Sequence, residues 1–333
     1  MSATNIAPAD NLQKPHADQV YRLPNMLVTW PWGRQINPSY KETQMISSSW
    51  MSNFGILDPK ALGAFNRCDY EQLRVCCDMM NIFFVFDDLT DVAGHGPTNR
   101  LANALMDGMR HPNTPADTGL GEMSRQFWGR MTLVATPDLQ ERYLEAMEDY
   151  VNGVIVEARD REITRIRNLP KYLELRRRTA GVRPCFVLIQ LGQNYPLGFF
   201  EHPTIVQLES IAGDMVVVGN DIYSYNVEQA RGDSFHNVVT IVQNHFNMSL
   251  DRALLWLGEY HEQLGKNFRA LRNVVPSFGV EYDADVSRYI DGLAIWVRAN
   301  DAWSFESQRY FGPNGRAIQS HRRVVLLPRQ VVH

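Results

Sequence analysis

Cysteine is scarce: the 333-residue chain has four, Cys68, Cys76, Cys77 and Cys185. None forms a Cys-x-x-Cys pair, so the pattern points to free buried thiols in a reducing compartment and not to a disulfide framework or a zinc ribbon. The chain also lacks any run of about 20 uninterrupted apolar residues, which excludes a transmembrane helix of ordinary length. Its first residues, Met1-Ser2-Ala3-Thr4-Asn5-Ile6-Ala7-Pro8, hold neither a basic nor an apolar stretch. A secretory signal is therefore not expected, and a cytoplasmic location is. Positive charge is not in excess. The formal net charge is −4, without the basic face that nucleic-acid binders show. No alternating apolar–polar pattern survives between turn signals, so strands are not expected. The 44% hydrophobic content permits a substantial core. No internal repeat and no linker divides the chain, and the reading is one all-α domain.

Proline and glycine punctuate the helices. Residues 1–22 are polar and proline-marked and are expected to be a flexible N-terminal arm. Asn37-Pro38 reads as an N-cap with proline at the first helical position, opening a helix from Tyr40 to about Asn53. A second helix is expected from about Pro59 toward an acidic cluster at Asp87. Pro112, Pro115, Gly119 and Gly121 mark a loop. Thr136-Pro137 opens a helix to about Glu162, and Pro170 opens another, broken at Gly181 and Pro184. Pro203 opens a helix of about 28 residues, roughly 42 Å long. Two more follow, from about Leu250 to Asn273 and from Ala284 to Phe311.

Two acidic clusters carry the chemistry. Asp87-Asp88-Leu89-Thr90-Asp91 follows the apolar run Met79 to Phe86. Asn220-Asp221-Ile222-Tyr223-Ser224-Tyr225-Asn226-Val227-Glu228 follows Asp214 to Gly219. At about 100° per residue, side chains four apart share a face, so Asp87 with Asp91, and Asn220 with Ser224 and Glu228, form one-sided rows of oxygen donors. Both rows fall at the C-terminal side of their helices. There the macrodipole disfavours each negative group by roughly 0.3–1 kcal/mol, and crowded carboxylates repel as well. A cation resolves both costs. Neither motif contains His or Cys, so the donors suit Mg²⁺, with Mn²⁺ possible, better than Zn²⁺. Mg²⁺ commonly shares its coordination with phosphate oxygens, and two incomplete half-sites suit a diphosphate.

These residues resemble a class I terpene cyclase of the single-domain microbial kind found in mushroom-forming fungi. Asp87-Asp88-Leu89-Thr90-Asp91 is similar to the family's aspartate-rich motif, and Asn220, Ser224 and Glu228 to its metal triad. Arg309-Tyr310, inside Trp303-Ser304-Phe305-Glu306-Ser307-Gln308-Arg309-Tyr310-Phe311, resembles the C-terminal Arg-Tyr pair. Arg177 resembles the diphosphate-sensing arginine four residues before a helix-breaking glycine, here Gly181. The resemblance spans residues 23–311 and implies a helical bundle around a central cavity. It implies three Mg²⁺ ions bound with a prenyl diphosphate, and hydrogen bonds to that diphosphate from Arg177, Arg309 and Tyr310. It also implies a carbonyl dipole at Gly181 aimed at the forming cation. Phe83 and Phe84, four and three residues before Asp87, are expected to line the cavity with Trp303. Trp296, in the same seven-residue stripe as Trp303 and Tyr310, is expected to pack in the core. Arg231 is either a further phosphate contact or a surface residue.

The segment around Asn220 to Asp233 resembles the clade that closes farnesyl diphosphate toward protoilludene-type sesquiterpenes. Release of acyclic alcohols, nerolidol or linalool, is the alternative, and a non-catalytic isoprenoid-diphosphate-binding protein is a second. Nucleic acid and membrane insertion are not expected, and the chain is expected as a monomer or homodimer. The basic tail 312–333, with Arg316, Arg322, Arg323 and Arg329, is expected to be a solvated end, with folding over the diphosphate end as the alternative. About a dozen residues are missing relative to the family between Phe65-Asn66-Arg67-Cys68-Asp69 and Cys77. The helix carrying Asp87 is therefore expected to be shortened at its start.

Overall fold

The computed structural model describes residues 19–52, 54 and 70–330. Among the described residues twelve α-helices and one two-stranded ribbon run in the order β1 (Val20–Arg22), α1 (Tyr40–Ser52), α2 (Tyr70–Asp91), α3 (His95–Arg110), α4 (Gly119–Val134), α5 (Pro137–Glu162), α6 (Leu169–Thr179), α7 (Val182–Ile189), α8 (Pro203–Arg231), α9 (Val238–Phe246), α10 (Leu250–Arg272), α11 (Asp283–Glu306), α12 (Gly315–His321) and β2 (Arg323–Val325), an all-α fold apart from the ribbon. The starts follow the sequence signals. Asn168 and Ser249 accept from backbone N–H groups at the first turns of α6 and α10, and Thr136 does so for α5 ahead of Pro137. The helix expected from Pro59, and the segment Phe65 to Asp69, lie outside the described residues.

The core is built in three parts. One joins α2, α3, α4, α5 and α7 around Phe86, Leu105, Phe127 and Tyr143. A second joins α6, α8, α9 and α10 around Tyr172, Val217 and Ile222. A third joins α7, α8, α10 and α11 around Phe186, Phe268 and Tyr289. Helix α8 belongs to the latter two, and so stands centrally with one face left for the cavity.

Three expectations need correction. Gly119 and Gly121 do not sit in a loop: Thr118 caps α4 by accepting from Gly121 N. A Cβ at Gly108 would lie 2.3 Å from Gly121 O, so glycine here permits close contact between α3 and α4. The last long helix stops at Glu306 and not at Phe311, because Gln308 takes a left-handed φ of 64° and turns the chain out of the helix. Arg309 and Tyr310 are thus held on the turn that follows α11. Two short strands, against expectation, are also present. Residues 20–22 pair antiparallel with 323–325, Tyr21 opposite Val324, and Leu23 N and Leu326 N extend the pairing to Arg322 O and Gln19 O. Residues 1–18 of the expected arm lie outside the described residues. The tail to residue 330 runs along α8 and not over the cavity mouth, with Arg316, Arg323 and Arg329 exposed. No helix among the described residues is long and apolar enough to cross a membrane.

Candidate active site

A cavity of ≈ 420 Å³ opens among α2, α5, α6, α8 and α11. One wall is the end of α2, where Phe83, Phe84, Asp87, Asp88 and Asp91 line the space. The opposite wall is α8, which presents Val216, Asn220, Ser224, Val227 and Glu228. The four-residue spacing is why each set faces inward together. Lower down the lining is aromatic. Phe83 lies 4.9 Å from Tyr150, ring centre to ring centre, and Phe84 stacks on Trp303 at 5.4 Å with 19° between planes. The Arg309 guanidinium sits 5.5 Å from the Phe84 ring centre.

The two walls are tied by consecutive residues. Arg309 Nη2 donates to Asp87 Oδ2 at 2.9 Å and to Asp88 Oδ1 at 3.3 Å. Asn220 Nδ2 donates to the Tyr310 hydroxyl at 3.0 Å. The α8 wall has its own support. Asn237 Nδ2 donates to Glu228 Oε2 at 2.9 Å and to Ser224 Oγ at 3.4 Å. Buried Asp221 accepts from Arg176 Nε at 3.1 Å, Val238 N at 2.9 Å and the Tyr172 hydroxyl. Arg176 Nη2 reaches Asn220 Oδ1 at 3.0 Å.

A family profile described as terpene synthase family 2, C-terminal metal binding, matches residues 78–267, more than half of the chain. A Delta(6)-protoilludene synthase of Stereum hirsutum is 40% identical over 95% of this chain and 90% of its own length. The chain belongs to the terpene synthases. Sesquiterpene synthase 14 of Postia placenta is 39% identical over 92% of each chain. Among solved structures, the linalool/nerolidol synthase from Streptomyces clavuligerus superposes with a TM-score of 0.71 at 20% identity, covering 83% of this chain and 98% of that one. At that identity the likeness concerns the fold, which is the all-α terpene synthase fold. This synthase is an enzyme, a lyase acting on a prenyl diphosphate, with a divalent-metal centre.

The donors in this synthase fit such a centre. Both rows offer hard oxygens, and among the described residues no three His, Cys, Asp or Glu side chains converge to hold an ion by themselves. Mg²⁺ ordinarily keeps several ligands from water or phosphate, which suits rows that are incomplete by themselves. The electrostatics point the same way. Burial, then the charge of Asp221, pushes the Glu228 carboxyl up to about 8, against hydrogen bonds from Ser224 and Asn237 and the charge of Arg176. Enclosure in the cavity raises Asp87, opposed by Arg309 and Arg176 and reinforced by Asp88 and Glu157. Asp91, at the open rim, is raised by partial enclosure and by Asp87 and Glu157. These carboxylates are short of positive charge.

Of the residues singled out from sequence, Asp87, Asp91, Asn220, Ser224, Glu228, Phe83, Phe84, Gly181, Trp303, Arg309 and Tyr310 all line this one cavity, as does Arg231. Arg177 does not. It forms a two-pronged pair with Asp214, at 2.5 and 2.9 Å, and is 40% exposed. Its neighbour Arg176 faces the cavity, because the inward face of α6 carries Tyr172, Arg176 and Thr179, at helical spacing. Trp296 packs against the core, as expected, and borders the cavity as well. Gly181 does break the helix pair, with φ of 65°, and a Cβ there would come within 3.0 Å of the Phe83 ring. Sequence reading missed Asp88, Glu157, Arg161 and His236 as lining groups. Arg161 caps the end of α2, donating to Thr90 O at 2.6 Å. Glu157 and Arg161 were legible as an i, i+4 pair on α5 pointing the same way.

Proposed function

We propose that this synthase ionises farnesyl diphosphate with Mg²⁺ and steers the carbocation to a cyclic sesquiterpene of the protoilludene type. The observation that carries the reading is the tie between the two acidic rows, Arg309 on Asp87 and Asp88, and Tyr310 on Asn220. It supports a single diphosphate seated between them. Mg²⁺ bound there, with three ions expected, would neutralise diphosphate oxygens as the carbon–oxygen bond breaks. Asp87 and Asp91 would hold metal on one side, and Asn220, Ser224 and Glu228 on the other.

The chain's own residues do the rest. Arg176, and not Arg177, is the arginine proposed to donate to diphosphate, together with Arg309 and Tyr310. A guanidinium fork suits phosphate because it stays charged and can donate two parallel hydrogen bonds. Until substrate arrives, these guanidinium groups supply the positive charge that the acidic and amide oxygens lack. Phe83, Phe84 and Trp303 offer ring faces to the cation and exclude water, and no strong base lies among them. Thr179, Ala180 and Gly181, at the C-terminal end of α6, bring the partial negative charge of unpaired helix carbonyls to the same space. The high identity to Delta(6)-protoilludene synthases over nearly the whole chain supports the choice of product class.

The test is incubation with farnesyl diphosphate and Mg²⁺, measuring diphosphate release and volatile products together. The expected result is both diphosphate and a cyclic hydrocarbon. Acyclic alcohols with diphosphate would overturn the product assignment, and binding without release would overturn catalysis.

A further inference from the structure

Two buried polar side chains on α8 have no part in the chemistry above. Asn226 and Gln229 are 4% and 3% exposed and flank Glu228. Neither lines the cavity. At about 100° per residue Asn226 lies on the far side of α8 from Ser224 and Glu228, and Gln229 lies about 100° round from Glu228. What they touch is the C-terminal segment. Asn226 Nδ2 donates to Val325 O at 2.9 Å, and its Oδ1 accepts from Leu327 N at 2.9 Å. Gln229 Nε2 donates to Leu327 O at 2.7 Å. Gln330 N donates to Ala230 O at 2.7 Å.

The contact falls where a helix is least able to hold its shape. Ala230 O is among the last four carbonyls of α8, which have no partner within a helix. Two residues later Gly232 leaves the helix with φ of 90°. The Glu228 carbonyl is closed by Gly232 N and Asp233 N, so the carbonyls beyond it, Ala230 O among them, depend on partners from outside the helix. The segment itself is anchored from the other terminus, because β2 pairs with β1.

We propose that residues 323–330 form a strap that, through Asn226 and Gln229, positions the metal row of α8. It fixes the last two turns from behind, so that Ser224 and Glu228 keep the spacing that a divalent ion requires. Asn226 is a positioning residue: it acts through the backbone of α8 and touches neither metal nor substrate. This role rests on the terpene synthase reading proposed above.

The test uses the full chain with Asn226→Ala, with Leu327→Pro, which removes the N–H that Asn226 accepts from, and with both together. Leu105→Ala, buried between α3 and α4, is the control for simple loss of stability. Diphosphate release from farnesyl diphosphate is measured against Mg²⁺ concentration, and amide hydrogen exchange is measured over residues 220–231 without ligand. Each strap variant is expected to raise the Mg²⁺ needed for half-maximal release by about tenfold, the scale seen when supports behind metal ligands are removed. Each should also speed exchange across 220–231, and the double variant should be no worse than the single ones because both cut one contact. The control should lower the melting temperature without moving either quantity. An unchanged Mg²⁺ curve, or one that the control shifts equally, would overturn the positioning role. Should the wild type release no diphosphate, the catalytic reading fails by itself, and the exchange data still decide whether the strap holds α8: unchanged exchange refutes it.

Discussion

The two acidic walls of the cavity are held in different ways. On α8, Glu228 and Ser224 accept from Asn237, and Asp221 beside them gathers Tyr172, Arg176 and the first turn of α9. On α2, Asp87 and Asp88 sit at the helix end, with side chains 48% and 39% exposed, and both engage one arginine from a distant turn. The first wall is built before any ligand arrives. The second depends on an ion pair that a ligand can replace. An ion bound by the α8 row meets oxygens already in place, so little reorganisation opposes it. The α2 row has freedom to adapt to whichever diphosphate oxygens are presented. On the proposed reading, recognition would be divided between a preformed side and a compliant side.

Glu228→Gln attacks the preformed side and should have the largest effect. It removes the only ionisable ligand of that row and should cut diphosphate release by about a hundredfold or more at saturating Mg²⁺. Turnover near wild type would place the ion elsewhere. Next in size is the contrast between two neighbouring arginines. Arg176→Ala should lower release by about ten- to a hundredfold, because it removes a phosphate donor and leaves Asp221 buried without its guanidinium. Arg177→Ala should cost no more than about threefold, since it breaks only a partly exposed pair with Asp214. The reverse order would restore Arg177 as the phosphate-facing residue.

A pH series sharpens the same comparison. The Glu228 carboxyl, at about 8 in the folded protein without metal against an ordinary 4.5, holds a proton that the unfolded chain gives up between those values. Without metal, stability should therefore fall as pH rises from about 4.5 to 8. Metal binding must release that proton, so the Mg²⁺ needed for half-maximal release should drop as pH rises through 8. A flat dependence would mean that Glu228 is already ionised. The smallest effect belongs to the compliant side. Asp91→Asn, at the exposed rim, should lower release by about threefold to tenfold, well short of Glu228→Gln. Equal severity in the two variants would abolish the distinction between the walls.

Much of this was legible in the sequence, because four-residue spacing alone brings Asp87 with Asp91, and Asn220 with Ser224 and Glu228, onto common faces. What escaped did so for physical reasons. Arg176 and Arg177 differ by one step of about 100°, and counting back from Gly181 selects Arg177. The face shared with Tyr172 and Thr179 instead carries Arg176, the arginine that lines the cavity. Trp296 and Trp303 fit a seven-residue stripe equally well, and periodicity does not reveal that Trp296, packed against the core, also borders the cavity. The ribbon between residues 20–22 and 323–325 is too short to show alternation, and its partner strands stand about 300 residues apart. Asn226 and Gln229 carry no spacing signal, because their partners are backbone atoms of the C-terminal segment.

The adjacency of Arg309 and Tyr310 has one more consequence. Consecutive Cα atoms are separated by about 3.8 Å, a fixed length. Since one residue grips α2 and the next grips α8, that single peptide unit works as a coincidence gate, registering both walls or neither. Lengthening the chain by one residue at this point would leave every functional side chain present and still uncouple the two halves.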